Sequence, residues 1–206
     1  MTPPVSGVSS GATKGDERRT ALLGALEEQL RNGTTLDEIN IADISRSAGV
    51  TRSAFYFYFE NKAAAVASLY EEMIAEGFGA ADLLGGGGSM RERTTLAVRA
   101  IFDGWGERRH LLRAVLDARA ASPAVRDQWD AFTSSSIDIT AEIIEAERAA
   151  GRAPAGPDAH TLATTLLDLN HQTLDRVVRA QPEIDWSHHF DAVVHVWVTA
   201  IYGSAS

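Results

Sequence analysis

The residues best suited to chemistry in this sequence are a short run that mixes one basic side chain with hydroxyl and phenol groups. Arg52 and Ser53 follow Thr51, a residue type that often caps the N-terminus of a helix, so both lie in the first turn of a predicted helix. An arginine in such a position can bind guanine through two hydrogen bonds, and a serine can bond to base edges. We expect contacts to phosphate oxygens from the hydroxyl of Thr51, the phenols of Tyr56 and Tyr58, and the ammonium group of Lys62. The run therefore predicts a surface that binds double-stranded DNA.

The residues before this helix predict a second helix that positions it. Ile41, Ile44 and Ala48 are spaced at i, i+3 and i+7, as on the apolar face of a helix. Gly49 stands where a helix can end in the left-handed conformation, which costs glycine least. Two helices joined by a turn containing glycine form a helix-turn-helix, whose second helix enters the major groove.

Five consecutive aromatic residues occupy positions 55–59. At helical spacing Phe55 and Phe59 share one face, which we expect to pack against the preceding helices, whereas Tyr56 points away from it. The alternative is that all five rings belong to a hydrophobic core. A short helix cannot bury every side, so we favour an exposed role for the phenols.

The segment from Ala48 to Lys62 resembles the signature of tetracycline-repressor (TetR) family regulators, a small residue-Gly-Val-Thr/Ser-Arg-x-x-Phe/Leu-Tyr-x-Tyr/His-Phe-x-x-Lys string. The resemblance implies an all-α protein in which a three-helix helix-turn-helix domain at residues 16–62 binds DNA. It also implies that residues 63–206 form a helical domain that binds a ligand and pairs two subunits.

Composition sets limits on partners and location. The chain has 206 residues, a net charge of −9 and no cysteine, so it carries no disulfide and suits a reducing cytoplasm. Residues 1–70 have seven Lys/Arg against eight Asp/Glu, and residues 71–206 have 12 against 20. Acidic charge is thus concentrated in the second part and does not exclude DNA binding by the first. We see no apolar stretch long enough to cross a membrane and no secretion signal.

The rest of the sequence predicts helices, about nine in all, with no strand alternation. Residues 1–15 are rich in Ser, Gly, Thr and Pro and predict a disordered tail. The run Gly85–Gly88 predicts a flexible connector, because no Gly-Lys-Ser/Thr follows it as in a phosphate-binding loop. The predicted helices of the second part span about 90–105, 109–119, 123–150, 158–180 and 187–203.

Large aromatic residues on different helices predict an elongated apolar pocket with one polar anchor, Asn170. Such pockets between bundle helices are common ligand sites. The alternative is that the tryptophans fill the core and that Asn170 is hydrogen-bonded to a backbone group or water. The candidate lining residues are Ile101, Trp105, Trp129, Phe132, Ile139, Thr140, Leu166, Leu167, Asn170 and Trp197.

Residues 145–154 and 195–203 resemble one TetR subgroup, the ethionamide-resistance repressors. The resemblance implies an aromatic tunnel that binds apolar ligands, which release the operator. It also implies a homodimer formed through the helices at about 158–180 and 187–203. Ser136 and Ile139 stand where the subgroup has large aromatic residues, and Leu167 where it has a second asparagine, so we expect a wider or more aliphatic pocket.

The sequence gives little support for a metal site or a catalytic site. His188, His189 and His195 lack the spacing of a zinc site. Asp168, His171 and Asp175 are spaced at i, i+3 and i+7, so they form a polar stripe along one helix. We therefore predict no metal, no cofactor and no enzyme activity.

Together these features predict a ligand-responsive repressor that binds a palindromic operator as a homodimer. A single recognition helix reads few base pairs, whereas two helices one turn of DNA apart read a palindrome. The alternative is a protein that binds or sequesters a small molecule and has a vestigial DNA-binding domain.

Overall fold

A computed structural model describes residues 13–76, 88–180 and 185–203. In these ranges the chain forms nine α-helices and no strand, which confirms the all-α prediction. The first four are α1 (Lys14–Arg31), α2 (Ile41–Ser47), α3 (Arg52–Tyr58) and α4 (Lys62–Glu76). The others are α5 (Met90–Glu107), α6 (Arg109–Ala121), α7 (Pro123–Ala149), α8 (Ala159–Arg179) and α9 (Ser187–Tyr202).

Helix α1 begins earlier than the sequence pattern indicated. We expected residues 1–15 to be disordered, but Thr13 caps α1 and the helix starts at Lys14. The reason is a capping box, in which the Thr13 side chain accepts from the Asp16 backbone N–H and the Asp16 carboxylate accepts from the Thr13 N–H. Residues 1–12 and 85–87, which include most of the predicted tail and connector, lie outside the described residues.

Helices α1, α2 and α3 and the capping residue Phe59 form a small unit, which we call the head (residues 14–59). Leu22, Leu26 and Ile44 meet Phe55 and Phe59 in its core, all of them 3% exposed or less. The turn between α2 and α3 requires glycine, because Gly49 has a φ of +68°. The helix-turn-helix is thus assembled as the sequence predicted, with both phenylalanines on its buried side.

Helix α4 joins the head to α5–α9, which we call the body (Met90–Tyr202). It packs against α1 on one side and against α6 and α7 on the other. Its buried residues Val66, Tyr70 and Met73 belong to the same continuous core as residues of head and body. A salt bridge of 2.7 Å between Arg19 of α1 and Glu72 of α4 also ties the head to this helix.

In the body, α7 and α8 pack as a pair, and α5 packs on α9. The C-terminal end of α7 is fixed by Glu147, which is buried and accepts two hydrogen bonds from the Arg152 guanidinium, at 2.6 and 3.0 Å. Asp158 caps α8 by accepting from the Thr161 backbone N–H at 2.8 Å. None of the helices described here has the length and apolar character needed to cross a membrane.

Phe55→Ala should lower the free energy of unfolding by about 3–5 kcal/mol, because it leaves a cavity in the core of the head. Phe57→Ala is the matched control: it makes the same change on the same helix at a side chain that is 82% exposed, so we expect an effect within about 0.5 kcal/mol. Urea unfolding followed by circular dichroism measures both. Equal losses for the two variants would contradict the packing described for α3.

Candidate DNA-binding surface and ligand site

The exposed face of α3 carries an arginine that is held in place by a tyrosine. The Thr51 hydroxyl caps the helix by accepting from the Ala54 N–H at 3.2 Å. The Arg52 guanidinium donates to the hydroxyl of Tyr56, which lies one turn later on the helix, at 3.2 Å. The guanidinium lies 5.7 Å from the centre of the Tyr56 ring. Both side chains are exposed, as is Ser53. The hydrogen bond to Tyr56 restricts the orientation of the Arg52 guanidinium, which suits recognition of a base edge or phosphate.

Phe57 is a residue of this surface to which the sequence analysis gave no role. Its side chain is 82% exposed, the largest value among the exposed large apolar residues described here. Tyr58, which is half-buried, meets it edge-on with ring centres 5.0 Å apart. The signal was present in the aromatic run, since position 57 lies opposite the buried pair Phe55 and Phe59 on a helix.

Lys62 has a different place from the one expected of a phosphate contact. Its ammonium group donates to the backbone carbonyls of Asp37 and Ile39, both at 3.0 Å. Two of its three N–H donors thus fix the loop that leads into α2 against the start of α4. The sequence could not reveal these partners, which lie 23 and 25 residues away along the chain.

The aromatic residues of the body come together around a residue of α4. Tyr70 is 1% exposed. Its ring lies 6.2 Å from that of Trp105 and 5.6 Å from that of Trp129, with interplanar angles of 24° and 20°. Phe132 meets it edge-on at 6.2 Å. We call these four residues the aromatic cluster; the sequence predicted three of them and missed Tyr70.

The predicted polar anchor is bonded to a tryptophan of the predicted lining. The Trp197 indole N–H donates to Asn170 Oδ1 at 2.9 Å, and the two residues are 6% and 3% exposed. An indole N–H can only donate, so it must face the amide oxygen. The amide NH₂ of Asn170 is not engaged by this hydrogen bond.

The remaining predicted lining residues divide into two sets. Leu166 and Leu167 are buried, and Ile101 is partly buried against the core. On α7 the Ser136 hydroxyl donates to the Phe132 carbonyl at 2.9 Å, and the Thr140 hydroxyl to the Ser136 carbonyl at 2.8 Å. Ile139 is 52% exposed. Of the two α7 positions that depart from the subgroup pattern, Ile139 thus lies on the outer side of the helix, whereas Ser136 is half-buried.

His171 borders Trp129, with ring centres 5.0 Å apart. Burial lowers the pKa of the His171 imidazole, and the nearby Arg119 guanidinium lowers that pKa further, while Asp168 and Asp130 act in the opposite direction. Arg119 also lies 5.4 Å above the Trp129 ring. The imidazole is therefore neutral near pH 7. Among the described residues no group of three or more His, Asp or Glu side chains could hold a metal ion.

Comparison with known families gives two matches that together cover most of the chain. Residues 94–203 match the family model described as "Transcriptional regulator EthR, C-terminal domain". Residues 34–69 match the model described as "Bacterial regulatory proteins, tetR family".

Similar proteins carry related names. The chain is 34% identical over 193 residues to "HTH-type transcriptional regulator EthR" from Mycobacterium tuberculosis (strain H37Rv), covering 92% of this chain and 89% of the relative. It is 30% identical over 203 residues to the protein of that name from Mycolicibacterium smegmatis, covering 96% and 92%.

Solved structures with the same fold include two proteins with acyl-CoA ligands. The transcriptional regulator FadR from Bacillus subtilis, in complex with stearoyl-CoA, has a TM-score of 0.72 and 17% identity, covering 89% of this chain and 99% of that one. The repressor FadR from Thermus thermophilus, in complex with lauroyl-CoA, has a TM-score of 0.64 and 21% identity, covering 91% and 97%.

The lowered pKa of His171 predicts a pH dependence of stability. Because the unfolded imidazole binds a proton near its ordinary pKa of 6.5 and the folded one only below it, this group contributes stability above pH 6.5 that is lost as the pH falls. His171→Gln should therefore show a smaller loss of unfolding free energy between about pH 7.5 and 5.5 than the unchanged protein. His188→Gln, at an exposed position, is the control and should keep the original pH dependence.

Proposed function

Because the chain belongs to the TetR family of bacterial regulatory proteins, we propose that it is a transcriptional repressor in the cytoplasm. It binds a palindromic operator as a homodimer and leaves the operator when an apolar small molecule binds in the body. The observation that carries the proposal is the exposed Arg52–Tyr56 pair on α3, in which a hydrogen bond orients the guanidinium. The buried side chains of Phe55 and Phe59 fix α3 in the core of the head. Under this proposal residues 16–62 act as the DNA-binding domain and residues 63–206 as the ligand-binding and dimerisation domain.

The proposed contacts with DNA follow from the geometry of α3. Arg52 and Ser53 lie in its first turn and reach base edges in the major groove. Thr51, Tyr56 and Tyr58 lie beside them and bind phosphate oxygens, which sets the orientation of the head on the duplex. Lys62 contributes indirectly to DNA binding, because it fixes the loop before α2.

The proposed dimer is formed by α8 and α9. Each helix has a buried side in the core and an outer side that includes small or uncharged residues, as a face that pairs with its own copy requires. Val196 on α9 is 42% exposed. The exposed positions of this side include the uncharged residues Thr161, Thr165, Gln172, Ala192, Val196 and Ala200, and the charged residues Asp168 and Arg176 lie among those of α8. Two heads held by such a dimer can read two half-sites one helical turn apart, about 34–36 Å.

The proposed effector is apolar with one polar group. The aromatic cluster and Trp197 supply apolar contacts, and the Asn170 NH₂ donates to an acceptor on the ligand. Two proteins of the same fold are named as complexes with acyl-CoA, which supports a long apolar ligand. The effector lowers operator occupancy only to the extent that it binds the DNA-incompetent form more tightly.

The experiment that tests this function is a fluorescence-anisotropy titration against DNA taken from immediately upstream of the protein's own gene, with a random duplex of equal length as the control. We expect tighter binding to the upstream DNA and an affinity that falls steeply between about 50 and 200 mM salt, because phosphate contacts release counterions. Equal, weak binding of both duplexes would instead favour a small-molecule binding protein with a vestigial DNA-binding domain.

Arg52→Ala should cost about 1–3 kcal/mol of operator binding and less on random DNA, because it removes a contact to a base. Arg46→Ala is the matched control, since Arg46 is an exposed arginine of α2 that is paired with Asp43 at 2.8 Å. Tyr56→Phe should weaken binding to both duplexes to a similar degree. If Arg52→Ala lost the same free energy on operator and random DNA, the assignment of Arg52 to a base edge would be wrong.

A further inference from the structure

Phe57 is the most exposed of the large apolar side chains in the described part of the chain, and its neighbour Tyr56 is 47% exposed. A single apolar side chain at a protein surface needs no explanation. Here two consecutive aromatic residues are exposed on a helix of seven residues, and the Arg52 guanidinium lies over the Tyr56 ring. An apolar patch bordered by a cation suits a partner that carries both apolar and anionic groups.

The position of Phe57 on α3 directs it away from the head. Each residue of an α-helix turns the chain by about 100°, so Phe57 lies about 200° around the helix from Phe55, which is fully buried in the core of the head. Ser53, one turn earlier, lies on the same side as Phe57 and is also exposed. Phe57 therefore occupies the side of α3 that is available to a partner.

The Phe57 ring is supported on one side by Tyr58. The two rings meet edge-on with their centres 5.0 Å apart and an interplanar angle of 87°, an arrangement that aromatic pairs favour. Tyr58 is itself packed against the hydrophobic core. The contact restricts the Phe57 ring and leaves most of its surface uncovered.

A phenyl ring is suited to one feature of the major groove. It cannot form hydrogen bonds with the donors and acceptors of the base edges, and covering those groups removes their water without replacing its hydrogen bonds. The 5-methyl group of thymine is the apolar group that a base pair presents in this groove, and phenylalanine is one of the residues that contact it. Cytosine lacks this methyl group, so contact with the phenyl ring favours thymine.

We propose that Phe57 is a specificity-determining residue whose ring contacts the 5-methyl group of one thymine in each half-site of the operator. The inference rests on the proposed function, because it requires α3 to enter the major groove. One turn of helix rises about 5.4 Å and one base pair about 3.4 Å. The thymine therefore lies about one to two base pairs from the base that Ser53 contacts.

The test uses an operator selected from random-sequence DNA with the purified protein. Each thymine in turn is replaced by deoxyuridine in both half-sites, which keeps the base pair and removes only the methyl group. At one symmetric position we expect the unchanged protein to bind about three- to tenfold more weakly, because an apolar contact is lost in each half-site. Fluorescence anisotropy measures the affinities.

Phe57→Ala should bind the operator more weakly and should bind the thymine and deoxyuridine forms equally. Phe57→Leu keeps an apolar side chain and should retain part of the preference for thymine. Tyr56→Phe is the matched control on the neighbouring residue. Because the proposed role of Tyr56 is to bind phosphate, this variant should bind both forms more weakly and leave their affinity ratio unchanged.

A preference for thymine that is equally large in Phe57→Ala would overturn the assignment. Sequence-selective binding to an operator that has no methyl-sensitive position would show that only the role of Phe57 is wrong. If the protein selects no operator, the proposed repressor function fails and the inference fails with it. A change of oligomeric state in Phe57→Ala at unchanged operator affinity, measured by sedimentation velocity, would assign the patch to a protein contact instead.

Discussion

The structure depends on the burial of one helix in two places at once. Helix α4 packs against α1 of the head and against α6 and α7 of the body, and its apolar residues Val66, Leu69 and Met73 belong to the core that both share. Because protein interiors are close-packed, a helix placed in this way cannot move on one side without a rearrangement on the other. The orientation of the head, which includes α3, is therefore linked to the packing of the body.

Features that depend on local sequence were predictable. The bounds of most helices follow from caps, glycines and apolar spacing, and the Thr51 cap, the Gly49 turn and the buried face of Phe55 and Phe59 were all correctly expected. The start of α1 was missed because a single Thr13–Asp16 capping box outweighs the disorder-prone composition around it.

Features that depend on contacts between distant residues were not predictable in the same way. Lys62 has the residue type of a phosphate contact, and only the fold brings it to two carbonyls of another loop. Tyr70 lies among the apolar residues of α4, and its contact with two tryptophans requires three helices to converge. Ile139 was predicted to line the pocket, but the rotation of α7 about its axis leaves this side chain 52% exposed. That rotation is set by packing against α8 and not by the sequence of α7 alone.

We propose that two copies of α3 in one homodimer read one palindromic site. The most direct measurement is a hydroxyl-radical footprint on an operator selected from random-sequence DNA with the purified protein. We expect two protected blocks related by dyad symmetry with centres about 10 base pairs apart, on one face of the duplex. A single short block, or protection without symmetry, would contradict recognition by a homodimer through α3.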